Sequence, residues 1–205
     1  MSILLRAILP IRCLYCGEPS QRLCANCAGL VGFSPRLVIR RDLIGFAADE
    51  YSEAAKLILR SFKELGESAL ASVLAARMRP LLASFPSVPS LLVPIPSNRE
   101  SMLERGFNPA ELLARELSAS VPGLTWRNLL TRNRKTKDQS KLAPAARTSN
   151  QLGSMSAPAG NLSVLLIDDV VTTGATLLEA ASTLQKAGHS VHGFLTFAET
   201  EAKKV

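Results

Sequence analysis

The chain has 205 residues, 47% of them hydrophobic and 5% aromatic, and a formal net charge of +7. That length buries one sizeable core with room for a small appendage, and no run approaches the roughly 20 apolar residues of a membrane span. The N-terminal apolar run is broken by Arg6 and Pro10 and lacks a basic leader and a small-residue cleavage site, so the sequence reads as cytoplasmic.

All four cysteines fall early, as Cys13-x-x-Cys16 and Cys24-x-x-Cys27. Paired Cys-x-x-Cys knuckles in a cytoplasmic chain point to a structural Zn2+ held by four thiolates, with Gly17 and Pro19 turning the short spacer. An Fe–S cluster uses the same ligands; two disulfides are disfavoured by the compartment, and a redox motif needs only one pair. Four thiolates leave no open coordination position, which makes the metal structural. Gly29, Gly32 and Pro35 mark a linker, so we expect a metal-binding module over residues 1–36 and a second domain over 37–205.

Two apolar runs, 37–39 and 43–47, read as a hairpin or sheet edge. From Ser52 the pattern turns helical, with Ala55, Leu59 and Phe62 on one stripe, Lys56, Arg60 and Lys63 largely opposite, and Gly66 at the end. A second, Ala-rich helix is predicted over 68–82, and a buried strand over 91–95. The strand feeds Pro96-Ser97-Asn98-Arg99 and then Glu104-Arg105-Gly106-Phe107-Asn108-Pro109, ahead of a helix over 110–118. A strand leading into a polar, basic loop is what a diphosphate site at a sheet's carboxyl edge requires, and Arg99 and Arg105 are its candidate ligands.

Residues 127–147 carry seven basic residues (Arg127, Arg132, Arg134, Lys135, Lys137, Lys141 and Arg147) against one acid, Asp138. Such a segment suits a solvated loop, a pyrophosphate lid or a nucleic-acid backbone. Trp126 is the only aromatic residue nearby, so the stacking platform of a typical single-strand binder is missing. Residues 153–160, rich in Ser, Ala and Pro, read as a flexible approach to the next strand.

Residues 164–176 read Val-Leu-Leu-Ile-Asp-Asp-Val-Val-Thr-Thr-Gly-Ala-Thr. The first four are apolar without alternation, as in a parallel strand buried on both faces. Asp168 and Asp169 follow at its carboxyl end, where ligands bind in open α/β sheets, and two adjacent carboxylates need cationic or hydroxyl partners. Thr172, Thr173, Gly174, Ala175 and Thr176 then form a small turn before an amphipathic helix over 177–187, and its backbone N–H groups would cradle a phosphate. Gly188 closes that helix and a last strand spans 191–197. His189 and His192 are expected as solvent-exposed turn residues with no metal role.

The string at 164–176 resembles, position for position, the phosphoribosyl pyrophosphate (PRPP) motif of type I phosphoribosyltransferases. Together with the four-cysteine knuckle, Pro94-Ile95-Pro96, Arg105-Gly106-Phe107-Asn108, and Arg134-x-Thr136-x-x-Gln139-x-x-Leu142 with Arg147 and Asn150, the chain resembles the ComF/GntX family over nearly its full length. The resemblance implies an α/β type I phosphoribosyltransferase fold, a parallel sheet flanked by helices, with a small N-terminal zinc module. Asp168 and Asp169 would hold the ribose hydroxyls and a hydrated Mg2+, and residues 172–176 the 5′-phosphate of PRPP or ribose 5-phosphate. It also implies a link to natural competence, with single-stranded DNA and a competence helicase as partners. Two functions therefore stand side by side: a PRPP-using transferase with the basic segment as its lid, and a DNA-binding or adaptor protein without transferase activity on the same fold.

Overall fold

In the computed structural model, the residues described are 12–19, 23–30, 34–64, 66, 68–87, 89–133 and 153–200. The N-terminal apolar run before Arg12 lies outside them. After a short helix, Ala25–Leu30 (α1), the chain makes the expected hairpin from Arg36–Arg40 (β1) and Leu43–Glu50 (β2). Glu53–Lys63 (α2) starts where Ser52 caps it, its side chain accepting from the Ala55 N–H, and the stripe of Ala55, Ile58, Leu59 and Phe62 is buried. Leu70–Met78 (α3) stops short of the predicted end at residue 82. Pro80 has no N–H for the α ladder, and the chain tightens into a 3-10 turn over Arg79–Ser84.

Leu91–Pro94 (β3) follows, then Arg99–Arg105 (α4), Pro109–Ser120 (α5) and Thr125–Trp126 (β4). Thr131–Arg132 (β5) pairs antiparallel with Met155–Ser156 (β6), so the expected flexible approach contains a short strand tied back to the basic segment's start. The chain closes with Ser163–Val171 (β7), Ala175–Lys186 (α6) and Ser190–Glu199 (β8).

The main sheet runs β1-β2-β8-β7-β3-β4, parallel throughout except for β1. Central β7 is covered on both faces, which accounts for its unbroken apolar run. Val164 and Leu166 pack with Leu177, Ala180 and Leu184 of α6. Leu165 and Ile167 pack with Ile58 and Phe62 of α2, Leu74 of α3 and Leu113 and Leu117 of α5. Cys13, Leu23 and Cys27 join this second cluster, so the cysteine segment shares the core of the sheet domain. The three layers and the parallel order place the ends of β3 and β7 side by side at one edge, where the site lies.

His189 differs from expectation: it is buried, 5% exposed. Its Nδ1 accepts from the Leu162 N–H at 3.2 Å, so the proton sits on Nε2, which donates to Pro158 O at 3.0 Å. Gly160 leaves room for the ring, since a Cβ there would lie 2.6 Å from His189 Cε1. His192 is exposed, as expected, but lies within β8 rather than in a turn.

Candidate functional site

A polar cleft of about 350 Å³ opens at the carboxyl ends of β3 and β7. Its wall on the β3 side is built from the Pro96-Ser97-Asn98 loop and the two short helices after it. Asn98 caps α4, accepting from the Ser101 N–H at 2.7 Å. Gly106 ends that helix in the left-handed conformation (φ 78°), its N–H bonded to Met102 O, which lets the chain reverse at once. Phe107 then packs on Phe62, ring centroids 5.6 Å apart. Asn108 is buried and bonded at both ends of its amide: Nδ2 donates to Ile95 O at 3.0 Å, while Oδ1 accepts from Ser97 Oγ at 3.0 Å and Ala110 N at 3.2 Å. Pro109 opens α5 at a position where no backbone donor is needed. The Arg-Gly-Phe-Asn string is thus a short helix end that presents Arg105 to the cleft.

Asp168 and Asp169 form the floor. Asp169 is buried and bonds Lys63 of α2, Nζ to Oδ2 2.7 Å, and its own N–H donates to Asp168 Oδ1 at 2.9 Å. Burial first, and the Asp169 carboxylate second, push the Asp168 carboxyl up to about 8; Lys63, the Asp169 N–H and Arg132 act in the opposite direction. Arg132 enters from β5 with its Nε donating to Pro96 O at 2.7 Å, and burial lowers its proton affinity. The cleft therefore gathers two carboxylates and three cations, Lys63, Arg105 and Arg132.

Beyond Val171, the turn at Thr172 and Thr173 leads to Gly174 (φ 77°) as the N-cap of α6. The helix starts at Ala175, two residues before expectation, so Ala175 and Thr176 are its first turn. Thr173 Oγ1 accepts from the Ala175 N–H at 3.4 Å. Residues 172–177 line a small hollow that also touches Asp168, and Thr176 faces the main cleft as well. A 12-residue helix thus points its N-terminus at a concavity adjoining a carboxylate pair.

The structure brings together Asp168, Asp169, Arg105, Arg132 and the 172–176 turn. Arg99 begins α4, is exposed and is not among the cleft's lining residues. Arg134, Lys135, Lys137, Lys141 and Arg147 lie outside the described residues. Sequence reasoning placed Lys63 on a solvent face and did not see its part in the cleft; a polar position opposite the core stripe looks the same whether it meets water or a carboxylate.

The four cysteine sulfurs lie within 4.8 Å of one another, with Cys16 and Cys24 Sγ 3.8 Å apart. Tetrahedral thiolates at about 2.3 Å from a Zn2+ stand about 3.8 Å apart, so the donor set fits a single metal ion. Backbone N–H groups, that of Cys24 first, lower the Cys13 thiol to about 6, while burial pushes Cys27 up to about 12. A cation at the centre would favour the thiolate at all four positions. Among the described residues, no helix is long and apolar enough to cross a membrane.

A mostly parallel sheet with helices on both faces and an acidic strand end beside a polar cleft has the architecture of a phosphoribosyltransferase-type α/β protein. The family model described as "Phosphoribosyl transferase domain" matches residues 101–205, and the chain belongs to that family. Along most of its length the chain is similar to curated proteins of the kind the sequence resemblance pointed to. It is 28% identical over 191 residues to Competence protein F of Haemophilus influenzae, covering 86% of this chain and 79% of that one. It is 27% identical over 180 residues to Competence protein ComFC of Bacillus subtilis, covering 86% and 72%. It is 28% identical over 187 residues to the DNA utilization protein YhgH of Salmonella typhimurium, covering 86% and 78%.

Proposed function

We propose that this protein binds PRPP, or a ribose 5-phosphate group, together with Mg2+, and serves a cytoplasmic step of DNA uptake or utilization. The observation that carries the reading is the adjacency of the Asp168–Asp169 pair to the 172–176 turn at the α6 N-terminus, with Lys63, Arg105 and Arg132 in the same cleft. Carboxylates accept from the 2′- and 3′-hydroxyls, backbone N–H groups suit a 5′-phosphate, and guanidinium groups match a pyrophosphate. The donor set fits Mg2+, which takes hard oxygen ligands and keeps several waters; it would neutralise the pyrophosphate beside Asp168 and Asp169. Arg105 and Lys63 then hold the leaving end, the acid pair fixes the ribose, and the turn anchors the 5′-phosphate. This arrangement stabilises charge separation at the anomeric carbon, which supports transfer of the phosphoribosyl group. The cysteine segment within residues 1–36 acts as a structural zinc module on the domain over 37–205.

Calorimetric titration of Mg2+ and PRPP into wild type beside the Asp168→Asn/Asp169→Asn double variant tests the reading. Saturable heat from the wild type alone is expected; a wild type that gives none sinks it.

A second reading, a DNA-binding or adaptor protein on the same fold, is favoured by the seven basic residues between 127 and 147 and by the names of the relatives. It predicts single-stranded DNA binding that falls steeply with salt, because each neutralised phosphate releases counterions. Fluorescence anisotropy across a salt series separates the two readings.

A further inference from the structure

Resting on the reading that the 172–176 turn holds a phosphate, we propose that Arg40 is a positioning residue that aims the turn's backbone N–H groups at that anion. Arg40 ends β1, 132 residues from Thr172 in sequence, yet its Nε donates to Thr172 O at 2.8 Å. In a trans peptide the carbonyl and the following N–H point to opposite sides. Holding Thr172 O on the guanidinium side therefore turns the Thr173 N–H away from Arg40, which is not among the residues lining the hollow of the turn.

The guanidinium is fixed at every nitrogen. Nη2 pairs with Glu199 Oε1 at 2.8 Å and approaches Thr200 O at 3.4 Å, and Nη1 donates to Ile39 O at 3.1 Å. Both side chains of the pair are nearly covered, 11% and 12% exposed. Because Glu199 neutralises its charge, Arg40 acts on the anion through the Thr172–Thr173 peptide rather than by direct attraction. Its stem also lies against the turn: a Cβ on Gly174 would stand 2.6 Å from Arg40 Cγ and 2.8 Å from Arg40 Cβ. The β1 strand and the last residues of β8 thus grip the turn from the side opposite its hollow.

The test titrates ribose 5-phosphate and, separately, Mg2+ with pyrophosphate into wild type, Arg40→Gln and Arg40→Lys, with a thermal melt of each protein. Arg40→Gln is expected to lose about ten-fold or more in affinity for ribose 5-phosphate, while pyrophosphate affinity stays within about two-fold. Arg40→Lys keeps the stem and the charge but has one nitrogen for several acceptors, so it recovers part of the loss. An equal loss for both ligands, or ribose 5-phosphate affinity unchanged in Arg40→Gln, overturns the positioning role alone. If Arg40→Gln does not fold, the same ligand comparison on Arg40→Lys decides. A wild type that binds pyrophosphate but no ribose 5-phosphate overturns both the phosphate reading of the turn and the role of Arg40.

Discussion

Lys63 Nζ lies 2.7 Å from Asp169 Oδ2, joining the last turn of α2 to the end of β7 across the floor of the cleft. The pair is partly shielded, with Lys63 26% and Asp169 9% exposed at the side chain. Its cation also counters the Asp168 carboxyl. A polyanionic ligand entering the cleft gains from that cation, so Lys63→Met is expected to weaken Mg2+-dependent PRPP binding by about ten-fold, on the order of 1.4 kcal/mol. Titration calorimetry checks this; unchanged affinity would remove Lys63 from the site.

The Asp168 carboxyl, raised to about 8 from the usual 3.8, makes stability and binding depend on pH in opposite directions. Its folded value lies above its unfolded one, so the folded chain holds the extra proton: the stability this gives is complete below about pH 4 and is lost as pH rises through about 8. Ligand-free Asp168→Asn should therefore melt higher than wild type at pH 9, with the gap closing towards pH 4. A cation held by Asp168 needs the carboxylate, so under the proposed function Mg2+ and PRPP binding is expected to strengthen over the same rise and to release a proton below it. Melts across pH, and titrations in buffers of different ionisation heat, read both effects.

Two glycines with positive φ should respond differently to a methyl group. At Gly193 (φ 136°) a Cβ would meet Ile44 O at 2.3 Å, a backbone atom of the paired strand that cannot move aside. At Gly123 (φ 80°) nothing lies within 4 Å. Gly193→Ala is expected to cost about 3 kcal/mol or more and Gly123→Ala about 1 kcal/mol, the latter from backbone conformation alone. Equal shifts in melting temperature would contradict the close approach of β2 to β8.

What was legible in the sequence, and what was not, follows from where each signal originates. The β7 string could be read because burial on both faces suppresses alternation and the acids stand directly after it. The β1–β2 hairpin and the capped start of α2 carry local signals of the same kind. By contrast, α4 buries none of its seven residues, and Leu103 is 76% exposed, so it has no periodicity to find. The β5–β6 pair exists only because two distant dipeptides meet. His189 is buried by two backbone partners, one from each side of Gly160, and no pattern near residue 189 announces them. Lys63 reaches the cleft, and Arg40 the back of the 172–176 turn, only through tertiary approach, and each sits in its own element as an ordinary basic residue.

The cysteine cluster gives a last expectation, because Cys13 and Cys27 are buried in the same core cluster as Phe62, and Phe62 in turn packs on Phe107 at the edge of the cleft. Metal analysis of the purified chain should find one zinc per protein, and chelation should release it with loss of stability, since a metal bound only by the folded state stabilises that state by mass action. Cys16 is exposed, so Cys16→Ser removes a ligand without opening a core cavity. That variant should lower zinc content and melting temperature together, while Asp168→Asn leaves zinc content unchanged. A Cys16→Ser protein with full zinc would remove Cys16 as a required ligand, and wild-type stability in both proteins before and after chelation would show that the four thiols do not hold a structural metal.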